Sequence, residues 1–223
     1  MVKKNKKIKI VGLIPSRLNS SRLFEKALLE IDGVPLVIHT FKRAKLSKYL
    51  DDIYVCTDSK KIATICKKYK CKVLLTGKNP TGTDRISEAA DRLKTKYDLY
   101  IDIQGDEPLI NPNHIDKVIL CLEKNVKKKF EVSTGFSKLK SQQNNNEKSC
   151  VFLVKSVSNQ AIFFSRSKIP FNINNIKVQR YRHIGLYAYT KQSLKKFHQY
   201  KVGPLEISEK LEQMRFLENG ERI

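Results

Sequence analysis

The residues best suited to do chemistry are Gln104-Gly105-Asp106-Glu107-Pro108, which follow the apolar run Leu99-Tyr100-Ile101-Asp102-Ile103. The run reads as a short buried strand, and the Gly and Pro behind it predict a sharp turn at its carboxyl end. In open parallel α/β sheets that edge is where ligands bind. Gly105 permits an unusual backbone angle or a close approach, and Pro108 stiffens the exit, so the Asp106 and Glu107 carboxylates project from a fixed platform. A hard cation such as Mg²⁺ needs one or two carboxylates held in this way, with its other ligands drawn from water and substrate phosphates. An acidic surface turn has the same composition, so the rest of the chain must decide.

Two further clusters bear on that choice. Arg17, Arg22 and Lys26 lie close together after the first β-rich run, Lys7–Ile14. Strand, polar loop and helix form the layout of a phosphate-binding first βα unit. Only Gly12 stands there, so the glycine fingerprint of dinucleotide sites is absent and cations take over part of the work of backbone amides. Gly82-Thr83-Asp84-Arg85 leads into a predicted helix and suits a nucleotide base or phosphate, although the same residues make an ordinary helix cap.

The elements that must position these groups alternate along the chain. Strands are predicted at Lys7–Ile14, Ile53–Thr57, Val73–Leu75 and Leu99–Ile103, and helices at Leu36–Lys48, Lys60–Lys70, Asp84–Lys96 and on to Leu122. Asp58-Ser59 suits a helix cap, and Ile31–Pro35 a turn. The alternation predicts an α/β fold with a mostly parallel sheet covered by helices on both faces. Glu131–Phe136 adds a strand, and the polar stretch Lys138–Lys148 a connection. Val151–Val154, Gln160–Ser165 and His183–Tyr189 have no helices between them and predict antiparallel strands in a smaller lobe or dimerisation element. Helices are expected at Lys191–Tyr200 and Leu205–Asn219, the second capped around Gly203-Pro204. Its stripe of Ile207, Leu211, Met214 and Leu217 is core packing. That stripe leaves Glu206, Glu209, Glu212 and Gln213 unexplained.

Composition narrows the function classes. The chain has 223 residues, 40% hydrophobic and 30% charged, which suits one globular domain, with 1–136 as core and 150–223 as lobe. No apolar run is long enough to span a bilayer. The basic start, Met1–Lys7, is followed by a short apolar segment without a small-residue cleavage site, so a cytoplasmic location is expected. The five cysteines form no C-x-x-C pair and read as reduced, mostly buried thiols. The net charge of +22 is mostly lysine spread over the chain, without an arginine-rich run or interleaved aromatic platforms. It predicts charged small substrates and no dedicated nucleic-acid partner or membrane insertion.

Taken in order, these segments resemble the 3-deoxy-manno-octulosonate (Kdo) cytidylyltransferases, the CMP-Kdo synthetases of lipopolysaccharide precursor synthesis. Ile14-Pro15-Ser16-Arg17, Ser21-Arg22-Leu23 and Lys26 resemble the family's P-A-R-x-x-S-x-R-L-P-G-K. Thr57-Asp58 resembles A-T-D, Gly82–Arg85 resembles G-T-[DE]-R, and Gln104–Pro108 is Q-G-D-E-P. Phe164-Ser165-Arg166 with Ile169-Pro170 resembles F-S-R…I-P, and Arg182–Tyr187 resembles R-H-x-G-x-Y. Pro204-Leu205-Glu206, Glu209, Leu211-Glu212-Gln213 and Arg215 resemble P-L-E-x-x-E-x-L-E-Q-L-R.

The resemblance implies a Rossmann-like nucleotidyltransferase sheet with a smaller antiparallel β lobe, a homodimer, and Mg²⁺-dependent transfer of CMP from CTP to Kdo. Arg17 and Lys26 are then expected on the triphosphate, and Asp106 on Mg²⁺, these being the catalytic groups. Thr57, Asp58, Gly82, Thr83 and Arg85 would frame cytidine. Arg22, Gln104, Arg166, His183, Tyr187, Glu212 and Gln213 would bind the sugar acid. His183 reads as a general base or as a neutral hydrogen-bonding group, the second being favoured. The alternatives are another 2-keto sugar acid, such as 8-amino-Kdo or a sialic-acid relative, and a non-catalytic polyanion-binding descendant.

The departures from the pattern are specific. Phe24-Glu25 replaces the Pro-Gly before the lysine, which puts a carboxylate in the phosphate loop, and Asn79-Pro80-Thr81 stands where His-x-Ser is common. The family pattern also runs on past Ile223 to a V-D-T-x-x-D-L segment carrying a second metal-binding Asp. Either the protein continues beyond Ile223 or it lacks that ligand, and in the second case Asp102 is the candidate to replace it.

Overall fold

A computed structural model describes residues 8–18, 23, 25–139, 150–174, 176 and 178–223. Arg22, expected on the sugar acid, and most of the polar connection expected over Lys138–Lys148 lie outside the described residues.

The parallel half of the sheet is laid down by β1 (Ile10–Pro15), β4 (Asp52–Thr57), β5 (Val73–Leu75) and β6 (Leu99–Ile103). Between β1 and β4 the chain makes a small hairpin, β2 (Glu30–Ile31) and β3 (Val34–Pro35), whose turn residues Asp32 and Gly33 both have positive φ. Three helices alternate with these strands: α1 (Leu36–Ala44), α2 (Lys60–Lys68) and α3 (Gly82–Arg92). They are followed by α4 (Pro112–Asn125), β7 (Val132–Lys138), β8 (Phe152–Lys155), β9 (Ala161–Ser165), β10 (Tyr181–Thr190), α5 (Lys191–Gln199), α6 (Pro204–Glu209) and α7 (Met214–Glu218).

The strand order is β5-β4-β1-β6-β10-β8-β9, with β7 also paired to β10. The strands β5, β4, β1 and β6 run parallel, and β10 joins β6 antiparallel, Leu186 opposite Ile103 and Tyr187 opposite Asp102. The antiparallel lobe is thus a continuation of the same sheet. Because β10 enters against β6, its residues just before Leu186 lie beside the carboxyl ends of the parallel strands.

Period-two alternation divides each strand between two cores. Ile10, Ile14, Ile101, Ile103, Leu186 and Ala188 face α1, α2 and α4. Val11, Leu13, Tyr100, Tyr187 and Tyr189 face α3, α5 and α7. Asp102 shares the second face by register, one buried carboxylate among aromatic neighbours.

Local chemistry sets the helix bounds. Ser59 caps α2 by accepting from the Ile62 amide, and Thr81 caps α3 by accepting from the Asp84 amide. Helix α1 stops at Ala44 instead of Lys48, because Asp116 of α4 captures the Ser47 hydroxyl at 2.6 Å and the Lys48 amide at 3.1 Å. The single helix expected over Leu205–Asn219 is two. Lys210 takes a left-handed φ of 52° that ends α6, and the Glu218 carboxylate caps the Leu205 and Glu206 amides. The break folds α7 back on α6, so Leu211 and Met214 are buried while Ile207 faces outward.

Candidate active site

The loops behind β1, β4, β5 and β6 converge on one edge of the sheet. Ser16 continues the ladder by donating its amide to the Cys56 carbonyl at 2.9 Å. The turn after β6 packs directly on it. A Cβ at position 105 would lie 2.6 Å from Ser16 Oγ and 2.9 Å from the Pro15 carbonyl, so the close approach expected of Gly105 is to the β1 loop. Thr40 of α1 donates to the Gly105 carbonyl at 3.2 Å and holds the turn from the other side.

Two adjoining cavities result. One, of about 170 Å³, is lined by Asn79–Gly82 and Arg85; the other, of about 490 Å³, by Leu23, Lys26, Ala27, Gly105 and Asp106. Pro15, Ser16, Arg17, Gln104 and Glu212 line both, so the two halves form one cleft. The structure therefore brings together Arg17, Lys26, Gly82, Arg85, Gln104, Asp106 and Glu212 from the predicted set. A larger apolar cavity of about 510 Å³, between α4, β7 and Ile223, contains none of them.

At the wide end Lys26 Nζ meets Asp106 Oδ2 at 2.5 Å, both half exposed to the cleft. Glu25, the unexpected carboxylate, turns away and pairs with Lys61 of α2 at 2.6 and 2.8 Å. Burial and the neighbouring Asp106 push the Glu107 carboxyl above its usual range. At the narrow end Glu212 accepts from the Thr83 and Gly82 amides at 2.9 and 3.3 Å, occupying the positive N-terminus of α3. Arg85 is buried, donating to Thr76 Oγ1 at 2.6 Å and facing Asp58 at 3.4 Å, so Asp58 reaches the cleft only through it. The loop after β5 is held by Glu88, which accepts from the Gly77 amide at 2.9 Å and the Asn79 side chain at 2.6 Å.

Other predicted residues lie beneath or beyond the cleft. Thr57 is buried, its hydroxyl accepting from the Ser59 amide, and the Thr83 side chain is buried. His183 hydrogen-bonds Thr134 at 2.9 Å and packs edge-on to Phe164; burial pushes its pKa down to about 3, which keeps the imidazole neutral. Tyr187 is buried beside it, and burial with the Glu212 and Asp102 charges raises its phenol. The Gln213 side-chain nitrogen is buried without a hydrogen-bond partner among the described residues. Arg166 binds the end of α6, its side chain donating to the Glu209 and Lys210 carbonyls, and lines neither half of the cleft.

Asp102 is buried and accepts from Gln104 Nε2 at 3.1 Å on each oxygen. Burial, then Glu212 and Asp106, raises its carboxyl well above the usual range. Among the described residues no three His, Cys, Asp or Glu side chains are grouped to cage a metal.

Sequence reasoning missed Ser16 as a lining residue, Glu88 as the support of the Gly77–Asn79 loop, and Lys61 as the partner of Glu25. The last two are contacts between separate elements and leave no local pattern.

A cytidylyltransferase family model matches residues 11–223. An 8-amino-3,8-dideoxy-manno-octulosonate cytidylyltransferase of Shewanella pealeana is 40% identical over 95% of this chain and 86% of that protein. A 3-deoxy-manno-octulosonate cytidylyltransferase of Chloroherpeton thalassium is 41% identical over 97% of this chain and 88% of that protein. A solved CMP:2-keto-3-deoxy-manno-octonic acid synthetase complexed with CTP superposes with a TM-score of 0.89 at 31% identity, over 96% of this chain and 88% of that one.

Proposed function

The chain belongs to the cytidylyltransferase family, and from that premise we propose that its cleft joins CTP to 3-deoxy-manno-octulosonate, releasing pyrophosphate, for lipopolysaccharide synthesis. The observation that carries this reading is the continuous cleft with Gly82 and Arg85 at one end and Arg17, Lys26 and Asp106 at the other. The narrow end suits a nucleoside and the wide, cationic end a triphosphate with the sugar acid beside it. The anomeric hydroxyl attacks the α-phosphorus. The new bond joins that oxygen to phosphorus, the bond to the bridging oxygen breaks, pyrophosphate departs, and the hydroxyl proton passes to solvent.

Such a transfer needs alignment and charge neutralisation more than covalent help. Arg17 and Lys26 face the phosphate oxygens as fixed cations, with Lys26 exchanging Asp106 for phosphate. Glu212 keeps the α3 N-terminus rigid beneath the nucleotide. Gln104 presents an amide to the sugar acid.

The donor set fits Mg²⁺ carried in by the triphosphate: one half-exposed carboxylate, Asp106, on the cleft and no closed protein cage among the described residues. When bound, such an ion neutralises phosphate charge and lowers the pKa of a ligated hydroxyl. Asp106 is the residue that would hold it.

The relative named for the 8-amino sugar favours a second reading, in which that analogue is the acceptor. The test is pyrophosphate release from CTP and Mg²⁺ with each sugar acid, omitting one component at a time. Release that requires all components, with Kdo turned over faster, supports the first reading. Faster turnover of 8-amino-Kdo supports the second, and no release with either sugar overturns both.

A further inference from the structure

Glu25 is a charged residue of the phosphate loop to which the proposed reaction gives no task, and its placement is specific. Its backbone is left-handed, with φ 48° and ψ 33°, a conformation that costs a non-glycine residue energy and that glycine adopts freely. Its carboxylate bridges to Lys61 on α2, 2.6 and 2.8 Å from the two oxygens. The next residue, Lys26, begins a single helical turn, Lys26–Leu28, whose Leu28 amide returns to the Glu25 carbonyl at 2.8 Å. Lys26 Nζ then points to Asp106 on the opposite wall.

One backbone step thus separates a side chain tied to α2 from the cation that faces the triphosphate. We infer that Glu25 and Lys61 are positioning residues for CTP, their ion pair anchoring the loop to α2 so that Lys26 is presented to the phosphates. This deepens the cytidylyltransferase reading and rests on it.

The pair does two things at once. It turns the Glu25 carboxylate out of a cleft whose ligand is polyanionic, and it fixes a strained turn at the start of the Lys26 helix. Loss of Lys61 alone releases both constraints, leaving a free carboxylate beside Lys26. Loss of both partners removes that carboxylate and installs glycine where the backbone is left-handed. The two substitutions are therefore coupled, as contacting residues are.

The experiment compares the wild-type protein, Lys61→Met, and Lys61→Met with Glu25→Gly, by steady-state pyrophosphate release and by calorimetric titration with CTP. Wild-type release tests the reaction itself, so a failure there is separate from a failure of the variants to differ. The expected result for Lys61→Met is a KM for CTP raised roughly three- to tenfold, the size of one or two lost polar contacts. Its kcat should stay within about twofold and its KM for the sugar acid should not move. The double variant should recover to within about twofold of the wild-type KM for CTP. An unchanged KM in Lys61→Met overturns the inference. A double variant as impaired as Lys61→Met also overturns it, since removing the freed carboxylate and placing glycine in the left-handed turn would then not restore Lys26.

Discussion

At the residue scale the cleft is a balance of opposed charges. Lys26 and Asp106 neutralise each other across it, so a ligand that brings both phosphate and a cation can re-partner each without leaving either bare. Asp106→Asn should reduce pyrophosphate release by at least a hundredfold, the scale on which electrostatic groups act in such transfers. Its thermal unfolding should match the wild type, and near-normal turnover would remove Asp106 from the chemistry. Asp102 behaves differently. Its carboxyl is raised by burial and by Glu212 and Asp106. The folded state therefore holds a proton that the unfolded chain gives up near pH 3.8, and stability falls as the pH rises through that window. Asp102→Asn should unfold at a higher temperature than wild type at pH 8 and lose that advantage near pH 4, which thermal melts at the two pH values would show. The same variant tests the ligand assignment: an unchanged Mg²⁺ requirement leaves Asp102 as the support of Gln104 alone.

At the element scale the site depends on how α3 is held. Glu212 caps its start, and Glu88 binds the loop before it. Burial works against the Glu88 charge, yet the Asn79 amide, the Gly77 N–H and Arg92 outweigh burial and hold its carboxyl below the usual 4.5. A lowered carboxyl contributes stability that is present above the unfolded pKa and lost as the pH falls through the folded one. Glu88→Gln should therefore be less stable than wild type at neutral pH, with the difference closing as the pH falls below 4.5 and through the lowered folded-state pKa. It should also weaken CTP binding a few-fold by titration, through the slackened Gly77–Asn79 loop. On the far side of α3, buried Arg215 meets Glu206 at 2.6 and 2.7 Å, faces Asp84 at 3.5 Å and stacks 3.9 Å over Phe197. Arg215→Ala would strand two buried carboxylates and should cost about 3–5 kcal/mol in chemical denaturation. Against a typical total of roughly 5–15 kcal/mol, that is a large loss.

At the scale of the whole molecule, the outer face of β9 and the segment after it expose Ile162, Phe171 and Ile173, the last two more than 80% accessible. We propose assembly as a homodimer through this antiparallel part, with the exposure of these large apolar side chains as its support. Sedimentation should give twice the 25.8 kDa chain mass, and Phe171→Asp should return the monomer. Among the described residues no helix is long and apolar enough to cross a membrane. The alternation of β-rich runs with capped helices was legible along the chain, because a strand's period, a cap and a Gly-Pro punctuated turn are written within a few neighbouring residues. So were the turn at Gln104–Pro108 and the cations after β1. The break between α6 and α7 was not legible, since apolar spacing over Leu205–Asn219 suits one helix, and a left-handed Lys210 and the distant cap from Glu218 end it early. Nor were the Glu25–Lys61 anchor, the burial of Asp102 beneath Gln104, or the diversion of Glu212 to the α3 N-terminus. The residue types and their order determined which chemistry this chain can host. Which of them face the cleft was decided only by tertiary structure, because the contacts that set its two ends, Lys26 with Asp106 and Glu212 with Gly82, join residues 80 and 130 positions apart.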